Sequence, residues 1–543
     1  MHRLIFSVAL AISSAAVAIP PLPAPPPPQP GATPPKLLVV ISVDQFSADL
    51  FDQYRPQFTG GLARLASGTV FRNGYQSHAA TETCPGHSTI LTGARPTRTG
   101  IVVNDWVDQS IARADKHVYC AEDETVPGST SASYTVSPKH LKVPTLGELM
   151  KARWPASRSV AVAGKDRASI MMGGHSPDQR WYWRRSGFTT DLVGRPVPAT
   201  IAKVNAAFAA TLAQPRPPLE PPALCSAKAQ TYTIGNNRIV GNGRFERAAG
   251  DVSAAEDSPE FDAAVLTLAA GLMQELRLGR GVEPDLLAIG LSATDYVGHT
   301  FGTQGQEMCL QLLSLDRDLC DFFNLLDASQ IDYAVALTAD HGGFDIPERL
   351  PGAAWVDPQL DAEVVGKTIG TTLGLSGPVL FGGYGGDIYI DRSLEPADRK
   401  LARDAALKAY RAHPQVEAVF TREEIAATPV PTTPPDRWSL IERLRASFDA
   451  ARSGDLLIVL KPKVAPYPRA LGIASTHGTP WDYDRRVPIL FWRPGFTGRT
   501  VEDAVETVDL MPTVARMVGL ELAPGSVDGH CLEGTPAGSC PAR

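Results

Sequence analysis

The sequence predicts an α/β fold built on a doubly wound, mostly parallel sheet flanked by helices, and three observations carry that expectation. Short β-branched or leucine-rich runs recur, and each leads to an acidic residue or a histidine: KLLVVISVD ends at Asp44, DLLAIGLSATD at Asp295, and DYAVALTADH at Asp340 and His341. Segments with helical periodicity lie beside these runs, which is the alternation of a doubly wound sheet. At 543 residues, with 43% hydrophobic and 20% charged residues, the chain exceeds what one simple core supports. Either two domains or one large α/β domain with inserted loops or a small cap subdomain over its active face is therefore expected.

Read from the N-terminus, MHRLIFSVALAISSAAVA places His2 and Arg3 before an apolar run that closes on Ala16-Val17-Ala18, the form of a signal peptide over residues 1–18. The run is shorter than the roughly 20 apolar residues of a membrane span, so export with cleavage is expected, to the periplasm or beyond, with no transmembrane anchor after signal removal. Residues 19–36 are proline-rich and read as an extended, solvated linker. The main domain is expected over residues 37–530, followed by a short tail, 531–543.

Within that domain the runs at 37–44, 285–295 and 332–341 read as buried strands. Residues 260–279, 303–327, 397–413 and 508–519 carry helical spacing. Stretches near 105–160 and 173–257 are richer in Pro, Gly and polar residues and read as insertions, as does 346–470. The aromatic trio Trp181-Tyr182-Trp183 suits either the border of a pocket or the core of an inserted hairpin. In sheets of this kind ligands bind beyond the carboxyl ends of the strands, so Asp44, Asp295 and Asp340 are expected to converge on one edge.

Seven cysteines leave one odd. With Cys84 set aside as a small buried residue beside a helix start, Cys120, Cys225, Cys309, Cys320, Cys531 and Cys540 are the candidates for bridges in an exported protein. Cys309 and Cys320 fall on one helix, roughly 16 Å apart at 1.5 Å per residue, and cannot pair with each other. Cys531 and Cys540 lie in the tail and suit a local bridge.

The chemistry concentrates in an acidic and histidine set: Asp44; Asp295 and His299, spaced DYVGH; Asp340 and His341 in ADHGG; and His477 in ASTHGTPWDYD. This mixture of oxygen and imidazole ligands suits zinc, and the count suffices for two ions. A two-metal site for phosphoryl transfer also needs a nucleophile. In TETCPGHSTILTG, Pro85 suits the first position of a helix whose N-terminal N–H groups would face an anion, and Thr83 stands two residues before it. Ser88 and Thr89 fall inside that helix, with hydroxyls bonded locally. The net charge of −7 argues against a nucleic-acid-binding surface, so phosphate must be met by local cations.

Seven motifs occur in order, VDQF, TxTxPGHSTxxTG, GIxxN, GKDR, DYxGH, DHGG and THG, and they resemble the alkaline phosphatase superfamily. The match is specifically to secreted bacterial alkaline phosphatases with a threonine nucleophile, which are related to nucleotide pyrophosphatases and phosphodiesterases. Carried over by position, the resemblance implies two Zn2+. Asp295, His299 and His477 would hold one; Asp44, Asp340, His341 and the Thr83 oxygen would hold the other. It implies that Thr83 attacks phosphorus to form a phosphothreonine, which water then hydrolyses, and that Asn104 contacts a phosphoryl oxygen. Lys165 and Arg167, in GKDR, would neutralise the extra charge of a monoester dianion, which favours small phosphate monoesters over diesters as substrates.

Three other readings fit less well. A sulfatase would need Cys or Ser at position 83 and arginine at position 87, which are Thr83 and His87 here. A cofactor-independent phosphoglycerate mutase does not accord with a signal peptide. A non-catalytic metal- or phosphate-binding protein of the envelope would not need the nucleophile or the Lys-Arg pair. The alternative that remains is a phosphodiesterase or nucleotide pyrophosphatase of the same superfamily.

Overall fold

The first strand, β1 (Leu37–Val43), reads LLVVISV and is buried at every position. Such a run suits a central strand covered on both faces. The remaining strands of its sheet are β2 (Thr69–Tyr75), β3 (Ser159–Ala163), β4 (Gln179–Arg184), β5 (Gly187–Thr189), β6 (Asp285–Leu291), β7 (Tyr333–Thr338), β8 (Arg486–Trp492), β9 (Thr500–Val501) and β10 (Val505–Glu506). The computed structural model describes residues 33–184 and 187–540. The signal peptide, the linker up to residue 32 and the last three residues of the tail lie outside the described residues.

The order across this ten-stranded sheet is β9-β2-β8-β7-β1-β6-β3-β4-β5, with β10 also paired to β2. Strands β7, β1, β6, β3 and β4 run parallel, with Val39 of β1 opposite Leu287 of β6 and Val335 of β7. This is the mostly parallel, helix-flanked sheet expected from the acidic-ended runs. Alternation along β1 splits the core: Leu37, Val39, Ile41 and Val43 pack towards helices Pro259–Glu275 and Gln306–Ala328. Leu38 and Val40 pack on the opposite face, towards helices Leu146–Arg153 and Leu510–Met517. The period-2 pattern thus distributes one strand between two hydrophobic layers.

The parallel strands place their carboxyl ends on one edge. Asp44 follows β1 directly, Lys165 follows β3, Asp295 follows β6, and Asp340 and His341 follow β7. Strand β8 is antiparallel to both β7 and β2. The segment entering β8, which carries His477, therefore arrives at the same edge. Because β2 opposes β8, its own carboxyl end also points there and leads into the helix Thr83–Ile90. One reversed strand brings the last third of the chain to the ends of the others.

A second, four-stranded antiparallel sheet is built from Leu380–Gly382, Gly386–Ile390, Leu456–Leu460 and Val416–Thr421, in that spatial order. Its helices Ala362–Leu373 and Pro396–Ala412 contribute Ile369, Ala402, Ala406 and Tyr410 to a separate core. Tyr389 of this sheet packs with Cys84, Trp106 and Tyr119, so the second sheet is fastened next to the Thr83 helix.

One sequence expectation is corrected here and one open alternative is decided. Cys84 is not a lone packing residue but pairs with Cys120, 36 residues later, because the hairpin of Asp105–Val107 and His117–Tyr119 folds back beside the Thr83 helix. The other bridges are Cys225–Cys309 and Cys531–Cys540, and the odd thiol is Cys320. Trp181, Tyr182 and Trp183 are all buried on β4, and Trp183 meets Phe188, Phe208 and Phe261 edge-on at 5.4, 5.2 and 6.1 Å. Of their two readings, core packing is the one observed.

The Thr83 helix is seated by close backbone approach at Gly86. A Cβ there would lie 2.0 Å from the Asp340 carbonyl oxygen, so only glycine lets the helix rest against the end of β7. Replacing Gly86 by alanine must displace helix or strand. Gly86→Ala is expected to cost about 1–3 kcal/mol in urea unfolding, with a loss of activity larger than the loss of folded protein.

Candidate active site

Asp44, Asp295 and Asp340 are each at most 2% exposed, yet all three stand on the same sheet edge. Ligand atoms of Asp295, His299 and His477 lie within 4.8 Å of one another, and those of Asp44, Asp340 and His341 form a second such group. The structure thus brings together the two triads that the motifs implied. Asp295 and His299 come from successive turns of the helix Ala293–Phe301, where a spacing of four residues puts both side chains on one face.

The three imidazoles are oriented by the backbone. Nδ1 of His299 meets the Ser475 carbonyl at 2.8 Å, Nδ1 of His341 meets the Gly342 carbonyl at 2.9 Å, and Nδ1 of His477 meets the Thr81 carbonyl at 2.8 Å. Since a carbonyl only accepts, each Nδ1 carries the proton and each Nε2 presents a lone pair. Those lone pairs face carboxylates: His341 Nε2 is 3.3 Å from Asp44 Oδ1 and 3.4 Å from Asp340 Oδ2. His299 Nε2 and His477 Nε2 are 3.1 and 3.5 Å from Asp295 Oδ1. Acceptor against acceptor is repulsive unless a cation stands between them. In keeping with this, Asp44 Oδ1, Asp295 Oδ1 and His341 Nε2 are buried without a hydrogen-bond donor. The donor set fits divalent metal.

Titration follows the same crowding. Burial, reinforced by Asp295 and Asp340, pushes the Asp44 carboxyl well above the usual range. Burial pushes His341 and His477 below the ordinary imidazole value, which keeps them neutral. Burial also opposes the charge on Asp340, but the hydrogen bond from His87 holds its carboxyl below the usual value. His87 is not a ligand in either group; its Nδ1 lies 2.9 Å from the Thr83 carbonyl and 3.0 Å from Asp340 Oδ2. It ties the helix to one of the carboxylates.

Thr83 is the first residue of its helix, with Glu82 as the cap, so the helix starts two residues earlier than Pro85 suggested. Proline is tolerated in a first turn because its absent N–H has no helical partner to lose. Ser88 Oγ and Thr89 Oγ1 donate to the carbonyls of Pro85 and Gly86, each at 2.8 Å, as expected of hydroxyls inside a helix. Asn104 sits beside this N-terminus. Its Oδ1 accepts from Cys84 N at 2.8 Å and its own N–H donates to Glu82 Oε2 at 2.6 Å, an arrangement that leaves the amide NH2 as the outward donor. Burial pushes the Glu82 carboxyl up to about 7 against the opposing Asn104 hydrogen bond.

Lys165 caps the helix Asp166–Gly173 and is 3% exposed. Its ammonium lies 2.6 Å from Asp44 Oδ2, contacts Asp295 Oδ2 and stands 5.0 Å from the Tyr296 ring centroid. Burial opposes this charge, but Asp295 and Asp44 overcome it and hold the lysine above its usual range. Arg167, two residues on, places Nη2 3.5 Å from Thr83 Oγ1. Of its neighbours, Asp166 lies between the two cations of GKDR and Tyr296 inside DYVGH, whereas nothing local in the sequence marks Tyr119.

Comparison with known proteins identifies the family. Residues 38–479 match the family model described as Type I phosphodiesterase / nucleotide pyrophosphatase. The chain is 54% identical over 513 residues to alkaline phosphatase PhoK of Sphingomonas sp, covering 92% of this chain and 91% of that one. It is 45% identical over 520 residues to alkaline phosphatase PhoD of Zymomonas mobilis subsp. mobilis, covering 94% and 90%. The crystal structure of wild-type alkaline phosphatase PafA superimposes with a TM-score of 0.78 at 25% identity, covering 92% of this chain and 98% of that one. The chain belongs to the Type I phosphodiesterase / nucleotide pyrophosphatase family, within the alkaline phosphatase superfamily.

Proposed function

We propose that this protein is an exported, zinc-dependent alkaline phosphatase that hydrolyses small phosphate monoesters through a phosphothreonine at Thr83. Relatives named alkaline phosphatases, at 54% and 45% identity over more than nine-tenths of the chain, support phosphoric monoester hydrolysis. The observation that supports the finer reading is the pair of cations, Arg167 beside Thr83 and Lys165 between Asp44 and Asp295, at the edge that also gathers both ligand triads. No helix among the described residues is long and apolar enough to cross a membrane.

In this reading Asp295, His299 and His477 would hold one zinc, and Asp44, Asp340 and His341, with Thr83, the other. Bound there, two zinc ions supply Lewis acidity that lowers hydroxyl pKa values and stabilises charge on the attacking and leaving oxygens. Thr83 Oγ1 attacks phosphorus as the bond to the leaving group breaks, and the proton its hydroxyl gives up ends, by way of solvent, on the departing alcohol. The phosphothreonine is then cleaved by water, which restores the hydroxyl and frees inorganic phosphate. The helix N-terminus and the Asn104 amide favour negative charge at the phosphoryl oxygens. Arg167 and Lys165 add positive charge suited to a dianion, and the Arg167 guanidinium, already beside Thr83 Oγ1, costs little reorganisation.

The family description favours a second activity, phosphodiester hydrolysis at the same nucleophile. A diester carries one charge fewer, so it gains less from two cations.

Thr83→Ala is expected to abolish turnover, by at least about 10³-fold, while elemental analysis still finds close to two zinc ions per chain. Wild-type-like activity in that variant removes the mechanism. Substituting Lys165 and Arg167 together by alanine is expected to lower kcat/KM for an aryl phosphate monoester much more than for the matching diester; equal losses refute the charge argument. Dialysis against a chelator is expected to abolish activity and zinc to restore it better than magnesium or calcium, with thermal unfolding midpoints rising on zinc addition.

A further inference from the structure

The Arg167 guanidinium is held by more than its own helix. Its Nη1 lies 3.5 Å from the Tyr119 hydroxyl while Nη2 lies 3.5 Å from Thr83 Oγ1, so the planar group spans the gap between the two. The Tyr119 hydroxyl donates to Asp166 Oδ1 at 2.8 Å, which turns an oxygen lone pair towards the arginine. Asp166 is fixed in turn: Oδ2 accepts from the Tyr134 hydroxyl at 2.7 Å and pairs with Arg184 at 3.1 Å. Asp166 Oδ1 also accepts from the Arg167 backbone N at 2.6 Å. One carboxylate therefore anchors both the tyrosine hydroxyl and the backbone of the arginine it faces.

Tyr119 has little freedom to move. It is 6% exposed, packs against Tyr134 with ring centroids 4.5 Å apart, and lies in one apolar cluster with Cys84, Cys120, Ile170 and Met171. The disulfide completes a closed circuit: Cys84 follows Thr83, Cys120 follows Tyr119, and the two are bonded. From Thr83 the path runs through the bridge to Tyr119, through its hydroxyl to Arg167, and back to Thr83 Oγ1. The separation of arginine and nucleophile is set around this ring.

We infer that Tyr119, braced by Asp166 and tied to the nucleophile helix by the Cys84–Cys120 bridge, is a positioning residue that holds Arg167 at Thr83 and so sets the preference for monoesters over diesters. This rests on the reading of Arg167 as a phosphoryl contact. Removing the hydroxyl leaves the ring packing intact but lets the guanidinium choose other rotamers, and the loss falls on the substrate with the greater negative charge.

The test is a double-mutant cycle on the full zinc-loaded enzyme, measuring kcat/KM for an aryl phosphate monoester and its matching diester. Tyr119→Phe is expected to lower the monoester-to-diester ratio about tenfold, the effect of one weakened charge-assisted contact. In an Arg167→Ala background the same change is expected to leave the already lowered ratio where it is. If Tyr119→Phe lowers both substrates equally, or lowers the ratio by the same factor without Arg167, the tyrosine acts through packing and the inference falls. If Arg167→Ala lowers the ratio while Tyr119→Phe does not, the inference alone falls. If Arg167→Ala leaves the ratio unchanged, the role of Arg167 falls and takes this inference with it.

Discussion

Three carboxylates kept out of water at one edge of a sheet are the constraint on which the rest of the site depends. Isolated charges of this kind cost several kcal/mol each unless they are compensated. The chain answers with Lys165, buried between Asp44 and Asp295, and with imidazoles whose lone pairs point inwards. It does not answer with enough donors, because carboxylate oxygens in both triads lack any. A site so short of positive charge is built for cations, and the neutral histidines follow from the same burial that makes the carboxylates expensive.

The sheet turns that electrostatic requirement into geometry. Parallel strands deliver Asp44, Asp295, Asp340 and Lys165 to a common edge, and the reversed β8 adds His477 from the opposite direction. The Thr83 helix is then pressed against Asp340 at Gly86 and pinned by His87. The candidate metal ligands, Thr83 and the two cations thus sit at strand and helix ends or in the segments leading from them, positioned by the sheet edge rather than by one local motif.

Much of this was legible in the sequence because strand runs and acidic ends coincide. KLLVVISVD announces both a buried strand and a residue at its carboxyl edge, and DYVGH encodes two side chains on one helical face. His477 carried no such signal by itself, since its place depends on the direction of a strand that begins nine residues later at Arg486. The Cys84–Cys120 bridge was hidden for a related reason: it depends on a hairpin of three-residue strands too short to show a period. Tyr119 was invisible altogether, because its meaning lies in what Asp166 and Arg167 place opposite it. The helix start was misjudged by two residues because Pro85 is compatible with more than one position of a first turn.

Strand β1 has a consequence for how the protein comes to be folded. Its first partner in sequence along the parallel core is β6, and Gln45, just past its end, donates to Asp340 across a separation of 295 residues. The contact between His477 and Thr81 spans 396. Loop-closure entropy grows slowly with length, but pairings this remote are made late and slow the search for the native state. Neither triad exists until those distant segments have met, so a metal site of this kind belongs to the completed topology rather than to any local piece of the chain.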